Sequence, residues 1–409
     1  MSGPPLAAES SKKATSSVQD VIEEKPAFGS RFLTNEDEVW TQNAWDHVPP
    51  PDDQVETIAK SLSKQRLNPV PAEDKLKLNE KPARHWDNFY KMNASNFFRN
   101  RKWLHNEFPE LVSATKADAG PIAITEVGCG AGNSVFPLLS ANKNPDLHIR
   151  AYDYSSHAVK LVQNDPHYAS PLVGKIHASV WDVTSQNLPP DIAPGTVDIV
   201  IMVFVMSALH PDEWGQAVNN IQKILKPGGR ILFRDYGRYD LTQLRFKGGR
   251  LLDENFYIRG DKTRVYFFEL EELSLLFTGS KVSEARLQLD ATMSTTEVSQ
   301  DDTDDNAGDP LTPNATDAEI PSNSPSASPL APSHVNQLTP TDQDTVPASP
   351  APPSRTSEIH PNLTSPLANC PPHPLFVMEQ LGVDRRLIVN RKRQLKMYRV
   401  WMQGKFRKL

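Results

Sequence analysis

The chain has 409 residues and a formal net charge of −6, with 36 prolines and two cysteines. Two cysteines exclude a disulfide framework, and no run of about 18 apolar residues exists to span a membrane. The first 25 residues lack the apolar stretch of a secretory signal and carry four acidic side chains, which argues against secretion and mitochondrial import. We therefore expect a cytoplasmic protein, with the nucleus as the alternative, and no membrane partner.

Residues 1–25 are predicted to be disordered, and residues 26–120 to form a helical N-terminal extension. In the aromatic-rich part of this extension, Trp86 and Tyr90 are four residues apart, so they share one face of a helix. Taken alone, this face predicts a helix that packs on a sheet.

Residues 121–280 alternate between strand and helix patterns and form the predicted core. Strands are predicted at 122–127, 147–152, 175–181, 197–204 and 230–233, and helices at 134–140, 156–163, 212–225 and 269–277. The Lys-Pro-Gly-Gly run at 226–229 predicts a break after the third helix. Helices between successive strands imply an α/β fold with a mostly parallel sheet.

Residues 281–375 are predicted to be a disordered insertion. Within them, 291–370 hold eleven acidic residues and one basic residue, a net of −10, which leaves +4 for the rest of the chain. That segment also lacks Phe, Tyr and Trp, so it buries too little apolar surface to offset the entropy of ordering. The basic remainder favours a polyanionic partner.

Residues 376–409 are predicted to complete the core and end in a basic tail. Two extended runs, 385–390 and 394–403, flank the tripeptide Arg-Lys-Arg at 391–393. This pattern predicts an antiparallel hairpin at one edge of the sheet.

The glycine-rich turn after the first core strand is the most informative motif. Glu126 precedes Gly128, Gly130 and Gly132, which stand at every second position. Because glycine has no Cβ, such a turn lets the backbone approach a nucleotide at the carboxyl end of a strand. A dehydrogenase fingerprint would require its third glycine at Asn133, which counts against NAD.

Two further acids end the next two predicted strands. Asp153 is placed to accept hydrogen bonds from a ribose diol, and Asp182 from an adenine amino group. Helix capping or turn chemistry explains each acid equally well on its own. Together with the glycine turn, the two acids favour nucleotide binding, and the combination resembles the Rossmann-like class I S-adenosylmethionine-dependent methyltransferases.

A narrower resemblance covers residues 28–280 and 376–403. The chain resembles the tRNA N(3)-methylcytidine methyltransferases in the motifs at 86–91, 97–104, 126–133, 203–211, 225–229, 233–240, 259–261, 264–268 and 395–401. The Phe-Arg-Asp-Tyr-Gly-Arg block at 233–238 is specific to that family. The insertion departs from the family pattern, which runs straight through between Phe277 and Phe376.

The resemblance implies a cofactor, a product and partners. The cofactor is S-adenosylmethionine without a metal, and the product is 3-methylcytidine in the anticodon loop of threonine or serine tRNA. Serine-specific relatives suggest an aminoacyl-tRNA synthetase partner, and threonine-specific relatives suggest a neighbouring modified adenosine. The extension would cover the cofactor and help to bind the anticodon arm. The implied cofactor-binding residues, with Gly130 added from the turn, are Trp86, Tyr90, Gly128, Gly130, Asp153, Asp182 and Val203.

Methylation at N3 of cytosine needs no general base, because this nitrogen carries a lone pair and no proton. Alignment of that lone pair with the methyl group can contribute about 7–11 kcal/mol. Asp235 follows the predicted strand 230–233 and is the candidate for stabilising the positive charge that arrives on the base. The alternative is that Asp235 pairs with Arg234 or Arg238 and only holds its loop.

Aromatic and basic residues are the candidates for contacts with RNA. Phe204 and Tyr236 are predicted to stack on an extruded base, although burial in the core is the more frequent role of Phe. Residues 230–264 hold nine Lys and Arg against five acids, and 385–408 hold ten against none. Such runs are usually solvated faces, but near the site they favour a phosphate track. The predicted arginine contacts are Arg234, Arg238, Arg259 and Arg264.

Three alternatives stay open. They are an NAD-dependent oxidoreductase, a class I methyltransferase acting on another RNA, a protein or a small molecule, and an RNA-binding scaffold without activity. Asn133 counts against the first, the basic runs count against the protein and small-molecule substrates of the second, and the intact turn with both acids counts against the third.

Overall fold

A computed structural model describes residues 31–48, 51, 53–283 and 359–409, all within one compact unit. The N-terminal segment 1–25 and residues 284–358 of the predicted insertion lie outside the described residues. Their disorder therefore stays a prediction.

The N-terminal extension is helical, as predicted. A 3-10 turn at Glu36–Trp40 and the strand β1 (Ala44–Asp46) precede its helices. In helix α3, Pro82 occupies the first turn, where its missing N–H costs no hydrogen bond, and Phe89 and Tyr90 are buried. The helices are α1 (Gln54–Arg66), α2 (Ala72–Asn79), α3 (Pro82–Asn93), α4 (Leu104–Glu107) and α5 (Pro109–Ala114).

The core is an eight-stranded sheet with the strand order β1-β10-β11-β6-β5-β2-β3-β4. The five strands from β4 to β6 are parallel, and β11, β10 and β1 add antiparallel pairs at one edge. The core strands are β2 (Ile122–Val127), β3 (Leu147–Asp153), β4 (Lys175–Val180), β5 (Val197–Val203), β6 (Leu225–Tyr236), β10 (Phe376–Asn390) and β11 (Leu395–Lys408). The core helices are α6 (Val135–Ala141), α7 (Ser156–Gln163), α8 (Pro166–Ala169), α9 (Trp214–Ile224), α10 (Leu241–Leu244) and α11 (Leu270–Thr278).

Strand β6 begins earlier than predicted. The Lys-Pro-Gly-Gly run lies inside it, and the register with β5 shifts between the pairs Val197–Leu225 and Ile199–Arg230. Helix α9 ends at Ile224, just before the run, as predicted. Proline has no N–H to donate and Gly228 has a φ of +78°, so the run forms an irregularity within the strand.

A second, three-stranded sheet was not predicted. It is antiparallel in the order β7-β8-β9 and follows the carboxyl end of β6. Its strands are β7 (Leu251–Asp253), β8 (Phe256–Ile258) and β9 (Arg264–Tyr266). Each has three residues, too few to show an alternating pattern in the sequence.

Residues 359–375, assigned to the disordered insertion by composition, pack against the core. Leu363 and Leu375 are buried in the main hydrophobic cluster, and the backbone N–H of His360 donates to Oε1 of Glu272 in α11 at 3.1 Å. Packing against the core thus begins before Phe376. A few apolar residues are enough for this, although the composition of the segment is polar on average. Within the described residues, no helix has the length and apolar character required to cross a membrane.

Candidate donor and substrate pocket

A pocket lies at the carboxyl ends of the parallel strands, where ligands bind in open α/β sheets. It contains about 980 Å³ of space free of protein atoms, including the part open to solvent. The N-terminal extension, the ends of β2, β3 and β5, and the turn between β8 and β9 all contribute to its wall. The aromatic residues of the wall are Trp86, Phe89, Tyr90, Phe97, Phe98, Tyr154, Trp181, Phe204 and Tyr236.

The glycine turn has the backbone conformation for which its sequence is suited. Gly128 and Gly130 have φ values of +66° and +55°, a region that side chains with a Cβ rarely adopt. A Cβ on Gly128 would lie 2.6 Å from Cγ2 of Val205, and one on Gly130 would collide with the hydroxyl of Tyr90. The turn therefore admits only glycine at both positions.

Asp153 connects the glycine turn to the next helix. Its two carboxylate oxygens accept from the backbone N–H groups of Gly130 and Ser155, each at 2.9 Å. Burial raises the pKa of Asp153 to about 6, and these two bonds favour the charged form. Each carboxylate oxygen can accept two hydrogen bonds, so both oxygens of Asp153 can still accept one from a ribose diol.

Helix α3 is attached beside Asp153. Oδ1 of Asp87 accepts from the hydroxyl of Ser155 at 2.7 Å and from the backbone N–H of His157 at 3.0 Å. This attachment holds Trp86 and Tyr90 over the pocket, with their rings stacked at 6.0 Å. Both residues therefore line the predicted cofactor site.

The side chain of Asp182 is arranged for both roles considered from the sequence, turn formation and ligand binding. Its Oδ1 accepts from the backbone N–H and the hydroxyl of Thr184, at 2.8 and 2.7 Å, which is turn chemistry. The side chain also lines the pocket, and Oδ2 accepts no hydrogen bond from the described residues. Turn formation by one oxygen leaves the other for a ligand.

Both aromatic residues predicted to stack on a base line the pocket beyond Val203. Phe204 has a φ of +61°, and its ring lies 4.7 Å from that of Tyr236. A left-handed conformation at a non-glycine residue is strained, and such strained residues cluster at active sites and ligand-binding sites. Phe204 is half-buried, so its ring is part of the wall and not of the interior.

Asp235 lies behind the pocket wall. The side chain is fully buried and accepts from the backbone N–H groups of Ser207 at 2.9 Å and Tyr236 at 2.8 Å, two residues of the wall. Burial raises its pKa to about 6. Asp235 makes none of the described ion pairs with Arg234 or Arg238, so it does not hold its loop in the way considered from the sequence.

The structure places three of the four predicted arginine contacts away from the pocket. All three are buried, and their guanidinium groups have internal partners. Arg234 pairs with Asp384 at 2.6 Å, Arg238 with Glu269 at 3.5 Å, and Arg264 with Glu213 at 3.1 Å. Only Arg259 of the four lines the pocket.

The basic tail is also partly internal. Asp and Glu side chains pair with four of its cations, and backbone carbonyls accept from a fifth. These five are Arg386, Arg399, Lys405, Arg407 and Lys408. Arg391, Lys392 and Arg393 are exposed at the tip of the hairpin.

Arg101 is a wall residue that the sequence analysis did not assign. Its Nη1 donates to the hydroxyl of Ser134 at 3.0 Å and lies 3.4 Å from Oε1 of Glu126. Its guanidinium carbon lies 5.8 Å from the ring centre of Phe204. Burial raises the pKa of Glu126 to about 7. Arg101 lies in the 97–104 motif, so the resemblance to the family was the sequence feature that could have identified it.

The described part of the chain contains no cluster of His, Cys, Asp or Glu side chains suited to a metal ion. The pocket instead provides carboxylates, glycine backbone and aromatic rings. This set fits an adenosine-containing cofactor, because its ribose and adenine need acceptors and flat apolar surfaces.

Comparisons with known proteins give concordant results. A family model described as "Methyltransferase domain" matches residues 125–231. The tRNA(Thr) (cytosine(32)-N(3))-methyltransferase of Saccharomyces cerevisiae is 40% identical over 381 residues, which are 93% of this chain and 45% of that protein. The present chain thus spans less than half of that relative.

Two other relatives match over most of their own length. The tRNA N(3)-methylcytidine methyltransferase trm140 of Schizosaccharomyces pombe is 37% identical over 400 residues, 98% of each chain. The tRNA N(3)-cytidine methyltransferase METTL2 of Danio rerio is 39% identical over 288 residues, 63% of this chain and 80% of that protein.

Removal of the Asp87 carboxylate is expected to weaken cofactor binding. Asp87→Ala removes the hydrogen bonds that attach α3 to the start of α7. Because bonds to a partly exposed charge of this kind are moderately strong, we expect about a tenfold loss of cofactor affinity. Isothermal titration calorimetry with S-adenosylhomocysteine measures the effect. Asp165→Ala, which removes a comparable cap from α8 outside the pocket wall, is the matched control. Equal affinity in the Asp87 and Asp165 variants would contradict the role of Asp87.

Proposed function

Since this chain belongs to the tRNA N(3)-methylcytidine methyltransferase family, we propose that it methylates N3 of a cytidine in the anticodon loop of threonine or serine tRNA. The comparisons confirm the family, the class I methyltransferase fold and the cofactor S-adenosylmethionine predicted from the sequence. The observation that carries the proposal is one pocket with a carboxylate-rich end and an aromatic end.

The carboxylate-rich end is the proposed donor site. Asp153 and the free oxygen of Asp182 would hold the ribose and the adenine, and Trp86 and Tyr90 would cover them. The glycine turn leaves room for close approach of the ligand. When bound, the cofactor supplies an electrophilic methyl group on a sulfonium.

The aromatic end is the proposed base site. Phe204 and Tyr236 would stack on a cytosine extruded from the loop, since RNA-modifying enzymes must take the base out of its stack. No residue is required as a general base. Asp235 would stabilise the positive charge on the methylated base from behind the wall formed by Ser207 and Tyr236.

The reaction product gives the direct test. We expect the purified protein with S-adenosylmethionine to form 3-methylcytidine in purified threonine or serine tRNA, and nucleoside mass spectrometry identifies it. Asp153→Ala, which removes the acceptor from the donor site, should abolish the signal. Methyl transfer to protein or a small molecule, with none to total tRNA, would overturn the proposal.

Asp235 is expected to make methyl transfer dependent on pH. A carboxyl group with a pKa of about 6 is mostly charged above pH 6, so a charge-stabilising role predicts a single-turnover rate that rises between pH 5 and 7. Asp235→Asn should lower the plateau rate and remove this rise. Saturating cofactor separates the effect from cofactor binding at Asp153. An unchanged rate and pH profile in the Asn variant would exclude the charge role.

The tip of the β10–β11 hairpin is the proposed contact with the RNA backbone. Trp401 of β11 pairs with Tyr236, the last residue of β6, so the part of β11 before Trp401 extends past the carboxyl edge of the sheet. At about 3.3 Å per residue, Leu395 lies roughly 20 Å beyond that edge. The pocket opens at the same edge, where exposed cations would meet the phosphates flanking the target base.

Replacement of Arg391, Lys392 and Arg393 by Ala should make tRNA binding less sensitive to salt. Each lost phosphate contact lowers the slope of log affinity against log salt by about 0.7–0.9, according to the strandedness of the RNA. Filter binding from low to moderate salt measures the slope. The control replaces Lys116, Lys143 and Lys175, which are exposed toward the amino ends of the parallel strands. Equal slopes in both triple variants would place the tip outside the interface.

Two further features belong to the same proposal. We infer a cytoplasmic location, in keeping with the free thiols of Cys129 and Cys370. An aminoacyl-tRNA synthetase partner is proposed only for serine tRNA as the substrate. Assays of purified isoacceptors with and without the synthetase test this, because a synthetase requirement for threonine tRNA would contradict it.

A further inference from the structure

We propose that Arg259 recognises the 2-oxo group of the target cytosine and thereby excludes adenine from the base site. This inference rests on the proposed function and assigns a specificity-determining residue within the same pocket. It depends on the position of the guanidinium and on the chemistry that separates the bases.

The guanidinium of Arg259 lies in the aromatic end of the pocket. The residue follows β8, and its guanidinium carbon lies 5.5 Å from the ring centre of Tyr236. Nη1 is held by the carbonyl of Arg264 at 3.2 Å and the hydroxyl of Thr263 at 3.4 Å. The turn between β8 and β9 therefore fixes one side of the Arg259 guanidinium.

The Nε–H group of Arg259 is a donor without a partner. The atom is buried and makes no hydrogen bond to any of the described residues. Leaving a buried charged donor unpaired is costly, so an acceptor supplied by a ligand would stabilise it. Arg259 also lines the pocket, so an acceptor on the substrate would complete its hydrogen bonding.

Cytosine N3 and adenine N1 are similar nucleophiles. Both are ring nitrogens with a lone pair, and both have an exocyclic amino group on one neighbouring carbon. Uracil N3 and guanine N1 carry a proton, so neither reacts without a general base. On the other neighbouring carbon, cytosine has an oxygen and adenine has only hydrogen. A hydrogen-bond donor directed at this position therefore separates the two reactive bases.

Other donors in the wall are already engaged or lie elsewhere. Nη1 of Arg101 is engaged by Ser134 and Glu126, and the backbone N–H of Ser207 donates to Asp235. The hydroxyl of Tyr154 is also buried and unpartnered among the described residues, but Tyr154 follows Asp153 at the donor end. Arg259 combines an unpartnered Nε–H with a position beside Tyr236, on which the base would stack.

The test compares Arg259→Met with Lys262→Met, an exposed cation three residues away on the same turn. Full-length protein with saturating S-adenosylmethionine is given tRNA transcripts with cytidine or adenosine at the target position. Single-turnover rates are expected to fall about 10- to 100-fold for cytidine in Arg259→Met, with adenosine unchanged. Lys262→Met should retain the full preference for cytidine. Binding of S-adenosylhomocysteine shows that each variant is folded.

A substrate-side test covers the case in which Arg259→Met does not fold. Sulfur is a weaker acceptor than oxygen, so the unmodified protein should methylate 2-thiocytidine at the target position more slowly than cytidine. Equal rates on these two substrates, or an unchanged cytidine preference in a folded Arg259→Met, would overturn the inference. If the unmodified protein methylates neither cytidine nor adenosine transcripts, the proposed function fails instead.

Discussion

The carboxylate of Asp153 is the interaction on which the donor end of the pocket depends. It joins the backbone N–H of Gly130 to that of Ser155, and the hydroxyl of Ser155 in turn donates to Asp87 of α3. The glycine turn, the start of α7 and the N-terminal extension therefore meet at one buried side chain. The Tyr90 hydroxyl occupies the space that a Cβ on Gly130 would need, and it closes this arrangement from the other side.

Burial of this carboxylate opposes folding at neutral pH. The pKa of Asp153 is raised to about 6, above that of an exposed aspartate. A group with a raised pKa in the folded state stabilises the fold at low pH, and that contribution is lost as the pH rises from about 4, the usual aspartate pKa, through about 6. Asp235 shows the same shift for the same reason. Buried charge at both ends of the pocket is thus maintained at a cost in stability, as expected of functional groups.

The parallel core supplies only part of the pocket. The strand ends provide Asp153 and Val203, whereas α3 provides the aromatic cover and the turn after β8 provides Arg259. The core alone would present an open carboxyl edge, as in any sheet of this class. The additions to the core convert this edge into a pocket with two chemically distinct ends. In the proposed function, one end holds the cofactor and the other holds the target base.

Charge counts along the sequence did not separate internal cations from exposed ones. Arg234 is enclosed between the rings of Trp103 and Trp401, at 4.7 and 4.6 Å, and pairs with the fully buried Asp384. The neighbouring Arg386 and Arg234 lower the pKa of Asp384, because a paired carboxylate resists protonation. Breaking such a pair leaves an uncompensated buried charge, which typically destabilises a fold by about 3–5 kcal/mol. These arginines therefore belong to the interior of the protein.

The sequence by itself determined the parallel strands, the glycine turn and the acids at the carboxyl ends of β3 and β4, because these features arise from residues close together in the chain. Local spacing also predicted α7 at its observed limits, 156–163. Tertiary structure alone decided which cations are internal, since Arg234 and its partner Asp384 are brought together by the pairing of β6, β11 and β10. It also decided that Arg259 faces the pocket, because strands of three residues have no periodicity to read. Ion pairing and burial are set by distant partners, and no local pattern specifies them.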